Sequence, residues 1–443
     1  MAEITSHPDL SSNLNQQPQP GARRALVWLL LINMFNYIDR YVLAAVLVSI
    51  GNELFLSDTK KGSLTTFFLV SYLIASPVFG WLADRFPRWI LVGVGVILWS
   101  LASGASGLAG TYTALLVTRM FVGIGEAAYG PSAPTIISDL YPVSVRGKVL
   151  SWFYMAIPVG SALGYALGGA AASLGNWRWG FYAVVPPGIL LGILCFFLPE
   201  PQRGVADAVR TSRRAGWGDY LLLLRNRSFV LNTLGMAALT FSIGGISQWM
   251  PNYVQAFRHW GNEGSVNLIF GAMTVVTGIT ATLLGGIAGD RLRERVRGAY
   301  FVVSAAGLLM AFPFFVLMLF VPFPWAWIFV FLAEFCLFFN TGPSNTALAN
   351  VTHPAIRASA FAVNIFVIHA LGDAISPTII GFLSDITGKN LNVGFGAVGI
   401  IMLAGAGFWL WGAKYLDRDT ETAPHQLDGP RGFDVISPVD QPQ

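Results

Sequence analysis

The chain has 443 residues, of which 54% are hydrophobic and 11% charged. A soluble domain carries about 25% charged residues, so this composition excludes an ordinary soluble enzyme. The formal net charge of +4 is spread over separate basic loops, not gathered in a patch that would hold nucleic acid.

Residues 1–22 are polar and rich in Asn, Gln, Pro and Ser. They lack the basic start and cleavage site of a signal peptide and read as a disordered cytoplasmic tail. Apolar stretches of about 18–25 residues follow, each long enough to cross a hydrocarbon core as a helix. Period-2 alternation is absent, which excludes a barrel and leaves helices as the spanning element. The predicted spans are 24–50, 62–83, 90–108, 112–138, 149–172 and 180–198, then 227–255, 266–289, 298–320, 325–351, 357–383 and 393–416. These make an all-α membrane protein of twelve transmembrane helices in two six-helix halves, 23–198 and 227–416. A cytoplasmic linker at 199–226, with Arg203, Arg210, Arg213, Arg214 and Arg225, joins the halves, and 417–443 forms a second disordered tail. With both termini inside, the inside segments hold about 20 Lys and Arg and the outside loops about 5, as orientation by positive charge requires. Arg85 and Arg88, Arg146 and Lys148, and Arg291 to Arg297 all fall on that inside face.

A short pattern recurs at helix ends: Gly80-Trp-Leu-Ala-Asp84, Gly286-Ile-Ala-Gly-Asp290 and Gly381-Phe-Leu-Ser-Asp385. The first two are followed by Arg85 and Arg291 and close helices 2 and 8 on the inside. The third closes helix 11 on the outside. A glycine with a small residue near i+3 lets helices approach closely, and the aspartate can reach a neighbouring helix N-terminus or an arginine. One copy would be a helix-end cap with a loop salt bridge; three at matched positions point to repeated halves, an architecture common among secondary transporters.

Gly80-x-x-x-Asp84-Arg85-x-x-Arg88 resembles the loop 2–3 signature of the major facilitator superfamily. Arg119-x-x-x-Gly123-x-Gly125 resembles its helix 4 signature, and Pro199-Glu200-x-x-Arg203 its end-of-helix-6 signature. The chain departs from the family at Pro87, where a glycine is usual, which affects the backbone shape of that loop. Within the superfamily the chain resembles the Spinster group of lipid transporters. The runs that carry this are Asn36-Tyr-Ile-Asp39-Arg40, Val122-Gly-Ile-Gly-Glu126-Ala, Ala133-Pro-Thr-Ile-Ile-Ser-Asp139-Leu and Phe153-Tyr-Met-Ala-Ile-Pro-Val-Gly160-Ser. In the second half they are Glu334 and His369-Ala-Leu-Gly-Asp373-Ala-Ile-Ser-Pro377. The resemblance implies a lysophospholipid or sphingoid phosphate as substrate, with proton coupling.

Six charged residues fall well inside the predicted spans: Asp39, Arg40, Arg119, Glu126, Glu334 and Asp373. A charge at the bilayer centre costs about 2.5–3.5 kcal/mol on insertion scales, so such residues face a bundle interior or a watery cavity and mark a pathway or proton relay. Arg119 and Glu126 lie on one face of helix 4, roughly 10 Å apart along the axis, too far to pair tightly. Asp39 and Arg40 point about 100° apart and meet different partners. The simplest arrangement pairs Arg40 with Glu126 and Asp39 with Arg119, or gathers all four in one cluster. Protonation of Glu126 or Asp39 would then free an arginine for an anionic headgroup. A permanent ion-pair lock between helices 1 and 4 is the plainer alternative. In the second half Glu334 and Asp373 have no intramembrane Lys or Arg. His369 lies one turn before Asp373 on the same face; the two exchange a proton with the pathway or simply hydrogen-bond each other. Glu334, with Asn340 and Thr341 about two turns on, is placed to act as a protonated hydrogen-bond donor.

Pro134, Pro158, Pro343 and Pro377 sit inside apolar spans and mark bends. Gly160, Gly164, Gly168 and Gly169 give helix 5 a smooth face. Cys195 and Cys336 read as buried small hydrophobes without metal-ligand spacing or a disulfide framework. No HExxH run and no phosphate-binding loop is present, so no metal, cofactor or internal ATP drive is expected. Gly104-Ala-Ser106-Gly107 with His369 is a weak match to an intramembrane serine protease and leaves twelve spans unexplained. The expected partners are a lipid-like or organic-anion substrate, protons and membrane lipids. An organic-anion or sugar-acid symporter, a drug exporter and a non-transporting receptor are the alternatives, and sodium coupling stays open. The expected state is a monomer in a cell membrane, with compact loops that suit a bacterial inner membrane.

Overall fold

A computed structural model describes residues 17–203, 222–353 and 356–425. The tail expected at 1–22 is described only from residue 17, and most of the linker, with Arg210, Arg213 and Arg214, lies outside the described residues. So do residues 426–443 of the second tail.

The described residues form helices and no strands. The first half comprises α1 (Ala22–Ala45, continued by Leu47–Glu53), α2 (Asp58–Ala83) and α3 (Arg88–Leu108). It is completed by α4 (Tyr112–Tyr129, continued by Ser132–Leu140), α5 (Val143–Ser173) and α6 (Arg178–Cys195). The second half comprises α7 (Arg227–Asn252, with a wide turn at Tyr253–Phe257), α8 (Glu263–Arg293) and α9 (Ala299–Phe320). It ends with α10 (Ala326–Phe338 and Thr341–Asn350), α11 (Arg357–Ile368, His369–Asp373 and Ser376–Ile386) and α12 (Leu391–Thr422). Eleven of these are long and apolar enough to cross a membrane. The twelfth, α4, falls short because Arg119 and Glu126 lower the hydropathy of its first segment.

Three of the breaks follow from proline. A proline at position i removes the bond to i−4 and its ring crowds that carbonyl. Helix α4 breaks at 130–131 ahead of Pro134, and α10 breaks at 339–340 ahead of Pro343. Helix α11 widens at His369–Asp373 ahead of Pro377, where Gly372 has φ −105° and ψ −108°. Pro158 lies inside α5 without interrupting it.

Because the helices alternate in direction, both described chain ends lie at one end of the bundle, here the terminal end, and the opposite end is the far end. Two expectations need correction. Residues 417–422 continue α12, and they hold neighbouring helix starts: Asp417 accepts from the Gly298 amide at 3.1 and 3.2 Å, and Asp419 from the Ser228 amide at 3.1 Å. A carboxylate at a helix N-terminus is favoured by the free amides and dipole there, which is why the helix runs on. At Gly80 an added Cβ would meet nothing within 4 Å, so this glycine does not serve close packing. A Cβ at Gly286 would likewise meet nothing within 4 Å, although one built on Gly342 would lie 3.0 Å from the Gly286 Cα; the expectation holds at Gly381, where a Cβ would lie 2.2 Å from the Asp58 carbonyl oxygen.

The contacts between halves gather toward the far end. Ser49 donates its amide and hydroxyl to Glu263 at 2.9 and 2.6 Å. Thr66 and Thr378 share a 2.7 Å hydrogen bond, Tyr165 donates to the Ser247 carbonyl at 2.6 Å, and Asn267 to the Ala45 carbonyl at 2.9 Å. Helices α5 and α8 run together from Ser173 and Gly264 to Pro158 and Gly278.

Candidate functional site

Helix α1 carries Asp39 and Arg40 on adjacent positions, so their side chains diverge. Arg40 turns to α4, where Nε and a terminal nitrogen both reach Glu126 Oε2 at 2.7 Å. Asp39 turns to α3 and accepts a short hydrogen bond from Ser103 on Oδ1, with Arg119 of α4 3.9 Å from the same oxygen. Arg119 and Glu126 form no contact of their own. All four charges therefore meet in one cluster with two unequal pairs, one tight and one loose.

Two glycines let the cluster close. A Cβ at Gly123 would lie 2.2 Å from the Phe68 carbonyl oxygen, and one at Gly125 2.7 Å from the Trp99 amide. Helix α4 thus presses directly on α2 and α3. The Phe68 ring of α2 then stands between the arginines, 5.1 Å from the Arg40 guanidinium and 5.3 Å from that of Arg119. Tyr37 and Tyr72 complete the aromatic wall at 5.1 and 5.5 Å from Arg40. Cation–π attraction of this kind is worth about 2 kcal/mol when desolvated.

Exposure separates the two arginines. The Arg40 side chain is 18% exposed, while those of Arg119 and Glu126 are 1% and 0% exposed. Hydrogen bonding is also incomplete: Glu126 Oε1, Asp39 Oδ2, Asn36 Nδ2 and two nitrogens of Arg119 have no partner at normal hydrogen-bond distance, although one of those nitrogens faces Asp39 at 3.9 Å and Asn36 lies beside Glu126. Each unsatisfied buried polar atom costs about 1–3 kcal/mol, so the cluster is not a saturated lock. Tyr72 lies within electrostatic reach of Arg40, Glu126 and, from the second half, Asp373.

In the second half, His369 Nδ1 lies 2.9 and 3.0 Å from the two oxygens of Asp373 within the wide turn of α11. Both side chains are partly exposed. Glu334 is buried and accepts from Thr274 at 3.1 Å and Thr277 at 3.4 Å, both on α8. These threonines were missed in the sequence, although Thr274 and Thr277 share one face of a membrane helix. Asn340 is not a partner of Glu334; its amide bonds back to the carbonyls of Cys336 and Leu337. Among the described residues no group of His, Cys, Asp and Glu could hold a metal ion.

The helix-end motifs divide by location. At the terminal end Arg88 donates to Asp139 at the end of α4, to Glu200 at 2.8 Å and to the Pro201 carbonyl at 3.1 Å. Arg203 donates to the carbonyls of Ala83, Asp84 and Phe86, so the loop 2–3 and end-of-helix-6 signatures are one structure. Pro87, at φ −58° and ψ 123°, simply starts α3. Arg85 folds over Trp81 at 3.9 Å. In the second half Asp290 accepts from Tyr300 at 2.8 Å, and no contact of the Arg291 side chain is among those described. At the far end Asp385 joins the halves: it accepts from the Asp58 and Thr59 amides at 3.0 and 2.8 Å and from the Thr59 hydroxyl at 2.6 Å. It thereby caps α2 from across the interface, and Ser384 returns a 2.7 Å bond to Asp58.

Among the described residues twelve helices form two packed halves, with ionisable side chains buried inside the bundle, the architecture of a multi-pass membrane transporter and not of an enzyme. The family model of the Major Facilitator Superfamily matches residues 29–377. A spinster homolog 3 from Danio rerio is 36% identical over 408 residues, covering 87% of this chain and 82% of the relative. A sphingosine-1-phosphate transporter from Danio rerio is 36% identical over 374 residues, covering 80% and 74%. The crystal structure of a bacterial homolog to the human lysosomal transporter Spinster, inward-facing and unoccupied, superposes with a TM-score of 0.76 at 23% identity, over 93% of this chain and 99% of that one. The chain therefore belongs to the Major Facilitator Superfamily, within its Spinster group.

Proposed function

We propose that this chain is a proton-coupled transporter of an amphipathic lipid, such as a lysophospholipid or sphingoid phosphate, working by alternating access. The observation that carries the reading is the pair of Arg40 and Glu126 at 2.7 Å, with the carboxylate sealed and the guanidinium partly exposed. Protonation of Glu126 removes the charge that holds Arg40. Arg40 is then the cation available to an anionic headgroup, while sealed Arg119 stays with Asp39. That refines the two arginines into one that meets substrate and one that tunes the relay. The lipid class rests on the relatives, one of which carries sphingosine-1-phosphate by name.

Asp385 on the start of α2 supports a state closed at the far end, and α5 against α8 supports the axis about which the halves rock. The excess of Lys and Arg at the terminal end supports cytoplasmic termini. The halves 23–198 and 227–416 are the two moving bodies, and a monomer suffices because both are in one chain.

The test is proton flux into sealed proteoliposomes loaded with a pH dye, driven by added lysophospholipid, with Glu126→Gln as control. Lipid-dependent flux that the variant loses is the expected result. Flux with an organic or sugar acid and none with lipid replaces the substrate class and leaves the fold. No substrate-coupled flux in a well-folded sample favours a receptor.

A further inference from the structure

Helix α11 changes partners along its length. Its wide turn packs on α7 of its own half. A Cβ at Gly372 would lie 2.9 Å from the Thr240 Cβ and 3.0 Å from the Ala237 carbonyl oxygen, and one at Gly244 would lie 2.3 Å from the Asp373 Cβ. The last segment, Ser376–Ile386, packs on α2 of the other half. There a Cβ at Gly62 would lie 2.2 Å from the Pro377 carbonyl oxygen, Thr66 bonds Thr378, and Asp385 caps α2. Ties to its own half persist nearer the turn, where the Trp249 indole donates to the Pro377 carbonyl at 2.9 Å and Gly394 of α12 packs on Ile380. The segment is thus tied to the second half beside the turn and to the first half at its tip.

The turn itself is built to bend. Pro377 has no N–H for the Asp373 carbonyl. The Ala374 amide reaches back five residues to the His369 carbonyl at 3.1 Å, and the Ile375 amide only three, to Gly372 at 3.2 Å. The regular helical ladder is therefore interrupted between the two segments. Wide turns and prolines are where helices kink, and hinges absorb motion at the ends of elements. The His369 and Asp373 side chains bridge this turn at 2.9 and 3.0 Å. Both are partly exposed, and Asp373 lies within electrostatic reach of Tyr41 and Tyr72 of the first half. Tyr72 also stands 5.5 Å from Arg40, so the bridge and the first-half cluster share a neighbour.

We infer that the turn at His369–Asp373 is a hinge, that the bond between the two side chains is its clasp, and that His369 and Asp373 are positioning residues for closure of the far end. With the clasp made, the last segment lies on α2 and Asp385 caps that helix. With the clasp broken, the segment swings about the Trp249–Pro377 tie and draws Asp385 off α2. Twelve residues separate Asp373 from Asp385. That is about 18 Å of helix, so a bend of about 10° moves the tip by about 3 Å, enough to part a hydrogen bond. Cargo enters at His369, whose bond to Asp373 a headgroup held by Arg40 competes for. That last step rests on the proposed transport function, whereas the hinge does not.

Spin labels at Asn52 and Thr387, both exposed, read the far-end gap in the full chain, held in nanodiscs free of lysolipid. His369→Ala is expected to raise the longer-distance population about twofold to tenfold, the range for one hydrogen bond. Pro377→Ala gives the Asp373 carbonyl a donor and stiffens the turn, so adding it to His369→Ala should return the distribution toward wild type. A distribution unchanged in His369→Ala overturns the inference. So does a shift that Pro377→Ala leaves undiminished, because the motion then does not pass through the turn. Should His369→Ala not fold, Asp373→Ala takes its place under the same two criteria. Adding lysophosphatidylcholine to wild type separates this inference from the proposed function: a shift in His369→Ala with none on lipid addition keeps the hinge and counts against that lipid as cargo.

Discussion

The two halves share a helix count and a repeated helix-end motif, yet they hold buried charge differently. In the first half every acid of the cluster faces a guanidinium: Glu126 faces Arg40, and Asp39 faces Arg119. In the second half Glu334 faces two threonine hydroxyls, and Asp373 faces His369 on its own helix. Where a carboxylate faces a guanidinium, a proton taken up releases a permanent cation. Where it faces hydroxyls, a proton only redirects hydrogen bonds. Duplication of a fold thus does not duplicate its chemistry, and under the proposed function the exchange of a proton for an anion falls to the first half.

The largest effect should come from breaking the tight pair from the basic side. Arg40→Ala strands a buried carboxylate, a loss of about 3–5 kcal/mol for pairs of this kind. The melting temperature should fall sharply and recover in large part in the double variant with Glu126→Gln. A single variant as stable as wild type would mean that Glu126 is already neutral, and the contrast between halves would collapse. Glu126→Gln alone should fold and lose at least tenfold in lipid-driven flux, about 1.4 kcal/mol of barrier, together with its dependence on pH.

Much of this was legible in the sequence. Charges inside apolar runs announce themselves because the membrane penalises them, and helical spacing separates Asp39 from Arg40 well enough to give each its partner. What spacing does not carry is depth. Arg40 and Arg119 look alike in sequence, and only the packing in the fold leaves one partly exposed and the other sealed. Neutral partners were also silent, since Thr274 and Thr277 are ordinary residues for a membrane helix. Gly80 shows the opposite error, a motif glycine whose spacing promised close packing that its surroundings do not provide. Asp385 was readable in kind, as an acid able to cap a helix, but its partner came from α2, 326 residues away.

That contact sharpens the comparison at the level of motion. Removing an N-capping acid costs about 0.5–2 kcal/mol. Asp385→Ala should shift the balance toward far-end opening by about twofold to thirtyfold, at 1.4 kcal/mol per tenfold. Spin labels at Asn52 and Thr387 would read this as a longer distance population. An unchanged distribution would assign closure to the other far-end contacts, Ser49 with Glu263 and Thr66 with Thr378. Glu334→Gln should do less, under about 1 kcal/mol, because the amide oxygen still accepts from Thr274. Loss of flux equal to that of Glu126→Gln would place proton exchange in both halves.

The smallest effect belongs to a reference pair outside the cluster. At the far end Glu53 accepts from Arg178 at 2.6 and 2.8 Å and from the Trp177 indole at 2.7 Å, with its side chain 45% exposed. The Arg178 hydrogen bonds, and after them Trp177, hold its carboxyl below the usual carboxylate range. A depressed acid contributes stability that is fully present above its unfolded value, about 4.3, and is lost as pH falls through the folded value. Exposed pairs are worth about 0.2–1 kcal/mol, so Glu53→Gln should lower the melting temperature slightly at pH 7 and converge with wild type in acid. Measured beside Arg40→Ala, it separates what an ion pair contributes in water from what breaking one costs inside the bundle. Equal losses at the two sites would show that the cluster is hydrated, and the sealed carboxylate could then not hold Arg40 by charge alone.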